Sequence, residues 1–335
     1  MYLYFTPRDA MSQIKSNKPK IVITDYAFPD LITEHQLLTA AGCEMVGRQC
    51  QTVADLISLC READAVITQF ARVNASVIAA MARARVIVRY GIGVDNVDLE
   101  AARVRKIPVC NVPDYCVDEV ADHTLAFVLA TTRQVMSHTV HLRAGEWGLA
   151  VPLSGMKTLR DLKVGVVGFG RIGQEVVGRL AAFKCTVLVF DPMVASANIE
   201  KLGARPASFD ELLKAADVLT LHCPSTPQTR KLMNNDAFAK LKPGAIFINV
   251  GRGDLVDTLA LTAALQSGHL SAAALDVFDP EPIPLDHPVR RMPNVILAPH
   301  IASTSPAAVK KLRETAARLA ISAVRGEPLT NIVSQ

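Results

Sequence analysis

A chain of 335 residues is longer than most single domains, and its composition, with half of the residues hydrophobic and 20% charged, is typical of globular proteins. Intrinsic disorder and collagen-like repeats are therefore excluded, and no apolar run approaches the roughly 20 residues of a membrane-spanning helix. The net charge of +4 is spread along the chain and only 5% of the residues are aromatic, so neither a nucleic-acid nor a membrane partner is indicated.

The spacing of the cysteines indicates the cellular compartment in which the protein is expected. Seven cysteines occur without a Cys-x-x-Cys pair, which indicates neither a disulfide framework nor a zinc site. We therefore expect reduced thiols, a cytoplasmic protein and no metal.

The first twenty residues carry four basic side chains but no uninterrupted apolar core of the kind that a secretory signal requires, and we interpret them as a frayed leader.

From Lys20 onward, short apolar runs rich in β-branched residues alternate with helical segments. Because these runs are short and apolar throughout, they indicate strands of a parallel sheet that is covered by helices on both faces. Five strands are predicted in this first series, at 21–24, 44–46, 65–68, 86–89 and 109–112.

The longest helical pattern covers residues 118–143, with Val120, Leu125 and Phe127 on one apolar face and Gly145 at its end. A polar loop after Trp147 leads to a second alternating series, which indicates a second domain. Its strands are predicted at 164–167, 186–190, 218–221, 245–250, 272–275 and 295–297.

The final segment, Pro306–Arg325, predicts an amphipathic helix. Its apolar stripe contains Leu312, Ala316 and Leu319. Charged residues are expected on the rest of the helix surface, namely Lys310, Arg313, Glu314 and Arg318.

A glycine motif at the start of the second series predicts a dinucleotide site. Gly168, Gly170 and Gly173 follow a predicted strand and open a helix, which is the context that this motif requires. The glycines permit a tight turn, a close approach of a pyrophosphate and close helix packing, and the helix N-terminus supplies N–H donors. Asp191 ends the next strand, where a carboxylate binds ribose hydroxyls and repels a 2′-phosphate, so NAD is favoured over NADP. The alternative is a structural turn followed by a solvated aspartate.

Three ionisable residues lie just after strands of the second series, at the edge where open parallel sheets bind ligands. Arg252 could clamp a carboxylate, Glu281 could pair with an imidazolium, and His300 could carry a proton near neutral pH. Each could alternatively be structural. His138 and His141 are interpreted as structural, and His222 could either border the cofactor or pack in the core.

With these residues in place, the chain resembles the D-isomer-specific 2-hydroxyacid dehydrogenase family from about Lys20 to Pro328. The resemblance implies an α/β fold of two doubly wound parallel-sheet domains, a Rossmann NAD domain (116–302) inserted in a flavodoxin-like substrate domain (1–115 and 303–335). The motifs that carry it lie at 86–96, 168–173, 249–253, 276–282 and 299–300.

The resemblance implies an NAD-dependent oxidoreductase that interconverts a D-2-hydroxy acid and its 2-oxo acid. It makes His300 the acid/base, Glu281 its partner and Arg252 the group that binds the carboxylate and polarises the carbonyl. The backbone N–H groups of Gly91 and Ile92 are assigned to the substrate carboxylate. The residues assigned to NAD, besides the three glycines, are Arg171, Ile172, Asp191, Thr229, Val250 and Asp276.

Sequence differences from two groups of relatives narrow the expected class of substrate, and a similarity to a third group leaves one alternative function. Thr68–Phe70 stands where relatives that use 3-phosphoglycerate carry arginines, which favours a small unphosphorylated acid, and Glu281 replaces the Gln of formate dehydrogenases. Segments around Asn111 and 117–125 resemble the C-terminal-binding protein branch, which binds NAD(H), dimerises and represses transcription, although Ser303 stands at that branch's Trp. The family resemblance and the long apolar helix from Asp118 indicate a homodimer, and the alternative function is an NADH-sensing, corepressor-like dimeric binding protein with little or no turnover.

Overall fold

The computed structural model describes residues 18–334 and separates into two compact units. One unit ends at Pro113 and resumes at Lys310, and the other runs from Asp114 to Val309. The interpretation of the first twenty residues as a leader falls mainly on residues 1–17, which lie outside the described range. Within residues 18–334, no helix is both long enough and apolar enough to cross a membrane.

The first unit is built on a five-stranded parallel sheet with strand order β2-β1-β3-β4-β5. This is the flavodoxin-like order of a doubly wound fold, as predicted. The central strands are buried on both faces by helices, as their continuous apolar runs require. The strands are β1 Lys20–Ile23, β2 Glu44–Gly47, β3 Ala65–Thr68, β4 Ile87–Arg89 and β5 Val109–Cys110, and the helices are α1 Ile32–Ala40, α2 Val53–Cys60, α3 Ala75–Ala80 and α4 Leu99–Val104.

The second unit contains a seven-stranded parallel sheet with strand order β12-β11-β10-β9-β6-β7-β8. Its first six strands in the chain follow the Rossmann order, which confirms the predicted fold class. The strands are β6 Lys163–Val167, β7 Thr186–Phe190, β8 Arg205–Pro206, β9 Val218–Leu221, β10 Ala245–Asn249, β11 Leu270–Leu275 and β12 Val295–Leu297. The helices are α5 Val117–Thr132, α6 Val135–Arg143, α7 Arg171–Ala182, α8 Ser196–Glu200, α9 Phe209–Ala215, α10 Asn235–Lys240 and α11 Thr258–Gln266, and a last helix, α12 Pro306–Arg325, contains the boundary between the units.

The prediction of one helix over residues 118–143 is wrong, because the chain breaks it into α5 and α6. Gln134 adopts a left-handed conformation with φ of 53°, which ends one helix before the next begins. The hydroxyls of Thr131 and Thr132 donate to carbonyls four residues earlier, a bond that competes with regular helix geometry at this end. The longest helix among residues 18–334 is therefore α12.

The expected exposure of Arg313 is also wrong. Leu312, Ala316 and Leu319 are buried as predicted, but Arg313 is buried beside them. Its guanidinium forms an ion pair with the carboxylate of Glu34, which is fully buried in α1. A buried charge of this kind is stable only when it is paired, which explains why both residues leave the solvent together.

Candidate functional site

The glycine motif forms a tight turn between β6 and α7. Gly168 has a φ of +97°, and a Cβ there would lie 2.7 Å from backbone atoms of His222 and Cys223. A Cβ at Gly173 would overlap the carbonyl oxygen of Gly168, whereas nothing lies within 4 Å of the Cβ position of Gly170. Gly168 and Gly173 are thus required by the fold itself, and the open space at Gly170 is what a close-approaching ligand needs.

Asp191 follows β7 and contacts the glycine turn. Its two carboxylate oxygens accept hydrogen bonds from the N–H groups of Phe169 at 2.7 Å and Met193 at 2.9 Å. An open cavity of about 300 Å³ lies beside Asp191 and is lined by apolar side chains such as Val194 and Ile199 and by polar ones such as Ser196 and Glu211. This volume lies in the usual range of small-molecule sites. The open turn, the N-terminus of α7, the carboxylate and the cavity together fit a dinucleotide.

The other residues assigned to NAD lie in or near this edge of the second unit. Arg171 and Ile172 occupy the first turn of α7, and Val250 directly follows β10. The hydroxyl of Thr229 accepts from the N–H of Thr226 at 2.8 Å and donates to the carbonyl of Pro224 at 2.7 Å, so it already braces the loop after β9. Their contacts with NAD remain predictions.

His300 and Glu281 form a direct pair. Nδ1 of His300 lies 2.8 Å from Oε2 of Glu281, and the other carboxylate oxygen accepts from the N–H of Phe278 at 2.9 Å. Because an ionised carboxylate can only accept, the imidazole carries a proton on Nδ1. The fold brings these two predicted site residues together, although 19 positions separate them.

Opposing effects act on the carboxyl group of Glu281. Burial acts to raise its pKa, but the hydrogen bond and charge of His300, the Phe278 N–H group and the charge of Arg252 outweigh it. The net effect holds the pKa of Glu281 below its ordinary value, so the group is ionised at neutral pH. Arg252 therefore lies within electrostatic range of the pair.

A buried asparagine sets the loop that carries Arg252. Asn249, at the end of β10, donates from Nδ2 to the carbonyl of Arg252 at 2.8 Å and accepts at Oδ1 from the N–H of Gly251 at 3.0 Å. A Cβ at Gly253 would overlap the carbonyl group of Phe278, so this loop packs directly on the segment that leads to Glu281. Asn249 belongs to the motif at 249–253, but the sequence pattern gives it no role, although its place at a strand end was a usable signal.

Asp276 holds the His300 loop. Its carboxylate is completely buried and accepts from the N–H groups of Ile301 at 2.8 Å and Ala302 at 2.9 Å, while its carbonyl accepts from the N–H of His300 at 2.8 Å. Burial, which is only partly offset by these bonds and by nearby histidine charge, raises the pKa of Asp276. The residue was assigned to NAD, and the structure adds this second role.

Gly91 and Ile92 lie in the first unit, at the carboxyl end of β4. Gly91 has a φ of +144°, its N–H donates to the carbonyl of Arg89 at 2.9 Å, and its carbonyl accepts from the N–H of Val112 at 3.0 Å. A Cβ at Gly91 would overlap Nη1 of Arg89, so a buried guanidinium lies directly beside this turn. Arg89 belongs to the motif at 86–96, but the sequence pattern gives it no role; the residue ends β4 and so reaches this position.

The three other histidines singled out from the sequence each contact a structural partner. His222 is buried against the glycine turn, its Nε2 lies 3.0 Å from the hydroxyl of Thr220, and burial lowers its pKa to about 3. His138 contacts the carbonyl of Gln134 at 2.8 Å, and His141 pairs with Glu146 at 2.9 Å. Among residues 18–334, no group of three or more His, Cys, Asp or Glu side chains is placed to hold a metal.

Comparisons with known proteins place these features in a family. Residues 125–302 match the sequence model described as D-isomer specific 2-hydroxyacid dehydrogenase, NAD binding domain. A D-3-phosphoglycerate dehydrogenase of Mycobacterium leprae is 40% identical over 280 residues, which cover 83% of this chain and 52% of that protein. A glyoxylate reductase of Thermofilum pendens is 32% identical over 327 residues, which cover 92% of this chain and 93% of that protein.

A solved structure shares the whole fold. The D-lactate dehydrogenase of Aquifex aeolicus, complexed with NAD and lactic acid, has a TM-score of 0.84 and 26% identity, and the match covers 92% of this chain and 96% of that chain. The chain spans about half the length of the phosphoglycerate dehydrogenases that it matches, 52% in the Mycobacterium leprae protein.

Proposed function

Because the chain belongs to the D-isomer-specific 2-hydroxyacid dehydrogenase family, we propose that it interconverts a small unphosphorylated D-2-hydroxy acid and its 2-oxo acid with NAD as the redox partner. The observation that carries the proposal is the His300–Glu281 pair, 2.8 Å apart, with the Arg252 loop packed against the same segment. An acid/base, its carboxylate partner and a guanidinium are the groups that such a reaction needs at a carbonyl carbon.

Each residue has one role in this proposal. With Nδ1 of His300 bound to Glu281, its Nε2 is the atom that exchanges a proton with the substrate oxygen. Arg252 binds the substrate carboxylate and polarises the carbonyl, and the backbone N–H groups of Gly91 and Ile92 are assigned to substrate binding. Bound NAD supplies or accepts the hydride.

We assign NAD binding to the second unit, which also carries the catalytic side chains, and the remaining substrate contacts to the first. The family match covers residues 125–302 and is named for NAD binding. The open space at Gly170, the N-terminus of α7 and the Asp191 carboxylate support NAD rather than NADP, since a 2′-phosphate would meet a negative charge at Asp191. The corresponding division is 116–302 for NAD and 1–115 with 303–335 for the substrate.

The loop after β3 supports an unphosphorylated substrate. The carboxylate of Asp25 accepts from the N–H groups of Gln69 at 3.0 Å, Phe70 at 2.6 Å and Ala71 at 3.0 Å. An anion of the chain itself therefore engages the backbone donors of this loop, and no cation occurs before the exposed Arg72. A phosphate would meet negative charge here instead of arginine.

An exposed apolar surface supports a homodimer. No residue of α6 is buried, and Val140 and Leu142 of α6 are exposed together with Trp147, which is 92% exposed. Several large apolar side chains exposed on one short stretch of chain are typical of a protein interface, and two-fold dimers are the commonest oligomers. We assign this surface to a second copy of this chain, and Val140→Asp should convert the dimer to a monomer in light scattering.

The proposal is tested with NADH and a panel of 2-oxo acids that includes glyoxylate, pyruvate, longer acids and phosphohydroxypyruvate. We expect turnover of an unphosphorylated acid and a loss of activity in both His300→Ala and Arg252→Ala. The matched control is His269→Ala, because His269 precedes β11 at the opposite end of the sheet and contacts the carbonyl of Phe238.

Two results would overturn this function. Unchanged turnover in both active-site variants would remove His300 and Arg252 from the reaction. Tight NADH binding without turnover of any acid, together with a protein captured only in the presence of NADH, would instead support the corepressor-like alternative.

A further inference from the structure

A cluster built around a buried ion pair adjoins the Gly91 turn in the first unit, and Asp30 forms its exposed edge. It consists of Phe28 and Asp30 before α1, Glu34 in α1, Tyr90 after β4 and Arg313 in α12; we call it the Glu34 cluster. Glu34 is completely buried, and Tyr90 and Arg313 are almost so. None of these residues has a role in the reaction proposed above.

The contacts in the cluster are short and charge-assisted. Arg313 donates from Nη2 to Oε2 of Glu34 at 2.6 Å and from Nε to Oε1 at 2.9 Å, and it also donates from Nη2 to the carbonyl of Asp30 at 2.8 Å. The Tyr90 hydroxyl donates to Oε1 of Glu34 at 2.9 Å. Burial and the neighbouring Glu34 charge raise the pKa of Tyr90, so the hydroxyl remains a donor throughout the physiological range.

Aromatic packing fixes the tyrosine ring from another side. The Phe28 ring meets the Tyr90 ring edge-on with centroids 5.3 Å apart, and the Arg313 guanidinium lies 5.0 Å from the Phe28 centroid. Both the ring and the hydroxyl of Tyr90 are therefore held in one orientation. The backbone of Tyr90 is fixed as well, because its N–H donates to the carbonyl of Thr68 at 2.8 Å.

This restraint acts directly on the turn. Tyr90 is the residue before Gly91, and the turn at Gly91 and Ile92 follows β4 at the sheet edge where doubly wound folds bind ligands. Gly91 has a left-handed φ, and glycine is the residue with the least intrinsic preference for one conformation. A flexible residue next to a locked tyrosine takes its orientation from that tyrosine.

We propose that Glu34, fixed by Arg313, is a positioning residue that acts through Tyr90 to hold the Gly91–Ile92 turn in the geometry that binds the substrate carboxylate. The inference rests on the proposed function for its substrate. It also explains why a charged pair is kept inside the first unit, where an apolar pair of similar volume would often be no less stable.

The test uses Tyr90→Phe, which keeps the ring but removes the donor, and Glu34→Gln, which removes the charge. In each variant we expect the KM for the 2-oxo acid to rise about tenfold, because a charge-assisted hydrogen bond is lost, while kcat and the NADH Kd change by less than about twofold. Amide hydrogen exchange in peptides covering residues 86–96 should accelerate by a similar factor.

The matched control is Asp64→Asn. Asp64 is also buried and pairs with Arg83 at 2.8 Å, but it precedes β3 and so lies at the opposite end of the same sheet. This variant should lose stability without a change in KM and without faster exchange at residues 86–96. If Glu34→Gln does not fold, Tyr90→Phe alone decides, since it retains the ion pair.

The proposal is overturned if Tyr90→Phe leaves KM and exchange unchanged, or if Asp64→Asn changes both equally. The exchange measurement needs no catalysis. A wild-type chain without turnover would therefore refute the proposed function, while exchange at residues 86–96 would still decide whether the Glu34 cluster positions the turn.

Discussion

Substituting alanine for each glycine of the fingerprint separates the needs of the fold from those of NAD. No protein atom lies within 4 Å of the Cβ position of Gly170, and its φ of −71° is accessible to alanine. Gly168 differs, because its φ is +97° and a Cβ would meet backbone at 2.7 Å. We therefore expect Gly170→Ala to fold and to lose NADH, and Gly168→Ala to lose stability.

The magnitudes follow from these contacts. Gly170 is the N-cap of α7, where replacing glycine by alanine costs below about 1 kcal/mol, or a Tm shift below about 4 °C in a domain of this size. In Gly168→Ala, the left-handed conformation costs about 1–2 kcal/mol and the overlap about 1–3 kcal/mol, so about 2–5 kcal/mol in total. A methyl group in the space taken by the pyrophosphate should weaken NADH binding in Gly170→Ala by about tenfold to a hundredfold.

Two assays check this pattern. Thermal unfolding of the ligand-free variants measures the fold, and titration of NADH fluorescence measures binding. The control is Gly178→Ala, because Gly178 lies inside α7 with nothing within 4 Å of its Cβ position, so neither stability nor binding should fall. The reasoning is refuted if Gly170→Ala binds NADH normally, or if it unfolds as easily as Gly168→Ala.

Three further outcomes test the supports of the candidate site. Asp276→Asn replaces one of two accepting oxygens by an amide donor, so denaturant unfolding should report a loss of about 1–3 kcal/mol and kcat should fall as the His300 loop loosens. Glu281→Gln removes the carboxylate beside His300, and steady-state kinetics should report a kcat about tenfold to a hundredfold lower with an unchanged NADH Kd. The pKa of Glu281 is lower in the folded than in the unfolded chain, so the ionised carboxylate stabilises the fold above the ordinary carboxyl pKa. This stabilisation is lost as the pH falls through the folded pKa. The difference in unfolding free energy between wild type and Glu281→Gln should therefore be constant near neutral pH and shrink below about pH 4.

The sequence was most informative where a local pattern decides the structure. Apolar runs of three to six residues between helical segments are sufficient to predict buried parallel strands, and the glycine motif is confirmed as a turn between β6 and α7. The two-residue strand β8 was too short for any such pattern. The break at Gln134 has no glycine or proline to announce it, since it depends on a residue that rarely takes a left-handed φ.

Contacts between segments that are distant in the chain could not be predicted from local sequence patterns. Arg313 fits the polar face of its own helix, and its burial follows only from Glu34, which lies 279 positions away. The strand-end rule selected Arg252, Glu281 and His300 as candidates, but it could not indicate which neighbouring polar residues hold their loops, because bonds such as the one between Asp276 and Ile301 depend on the folded loops.

Buried residues at strand ends fix the two loops that carry His300 and Arg252. His300 itself has a left-handed φ of 54°, a conformation that costs a non-glycine residue about 1 kcal/mol or more and persists only where its surroundings enforce it. Asp276 enforces it by accepting from two N–H groups just after His300 and from the N–H of His300 itself. Asn249, at the end of the adjacent strand, fixes the Arg252 loop by donating a hydrogen bond to the carbonyl of Arg252. Asp276 and Asn249 are both buried residues at strand ends, so the loops that they hold are as rigid as the sheet itself. A substitution that weakens either residue's hydrogen bonds should therefore impair catalysis before it unfolds the unit.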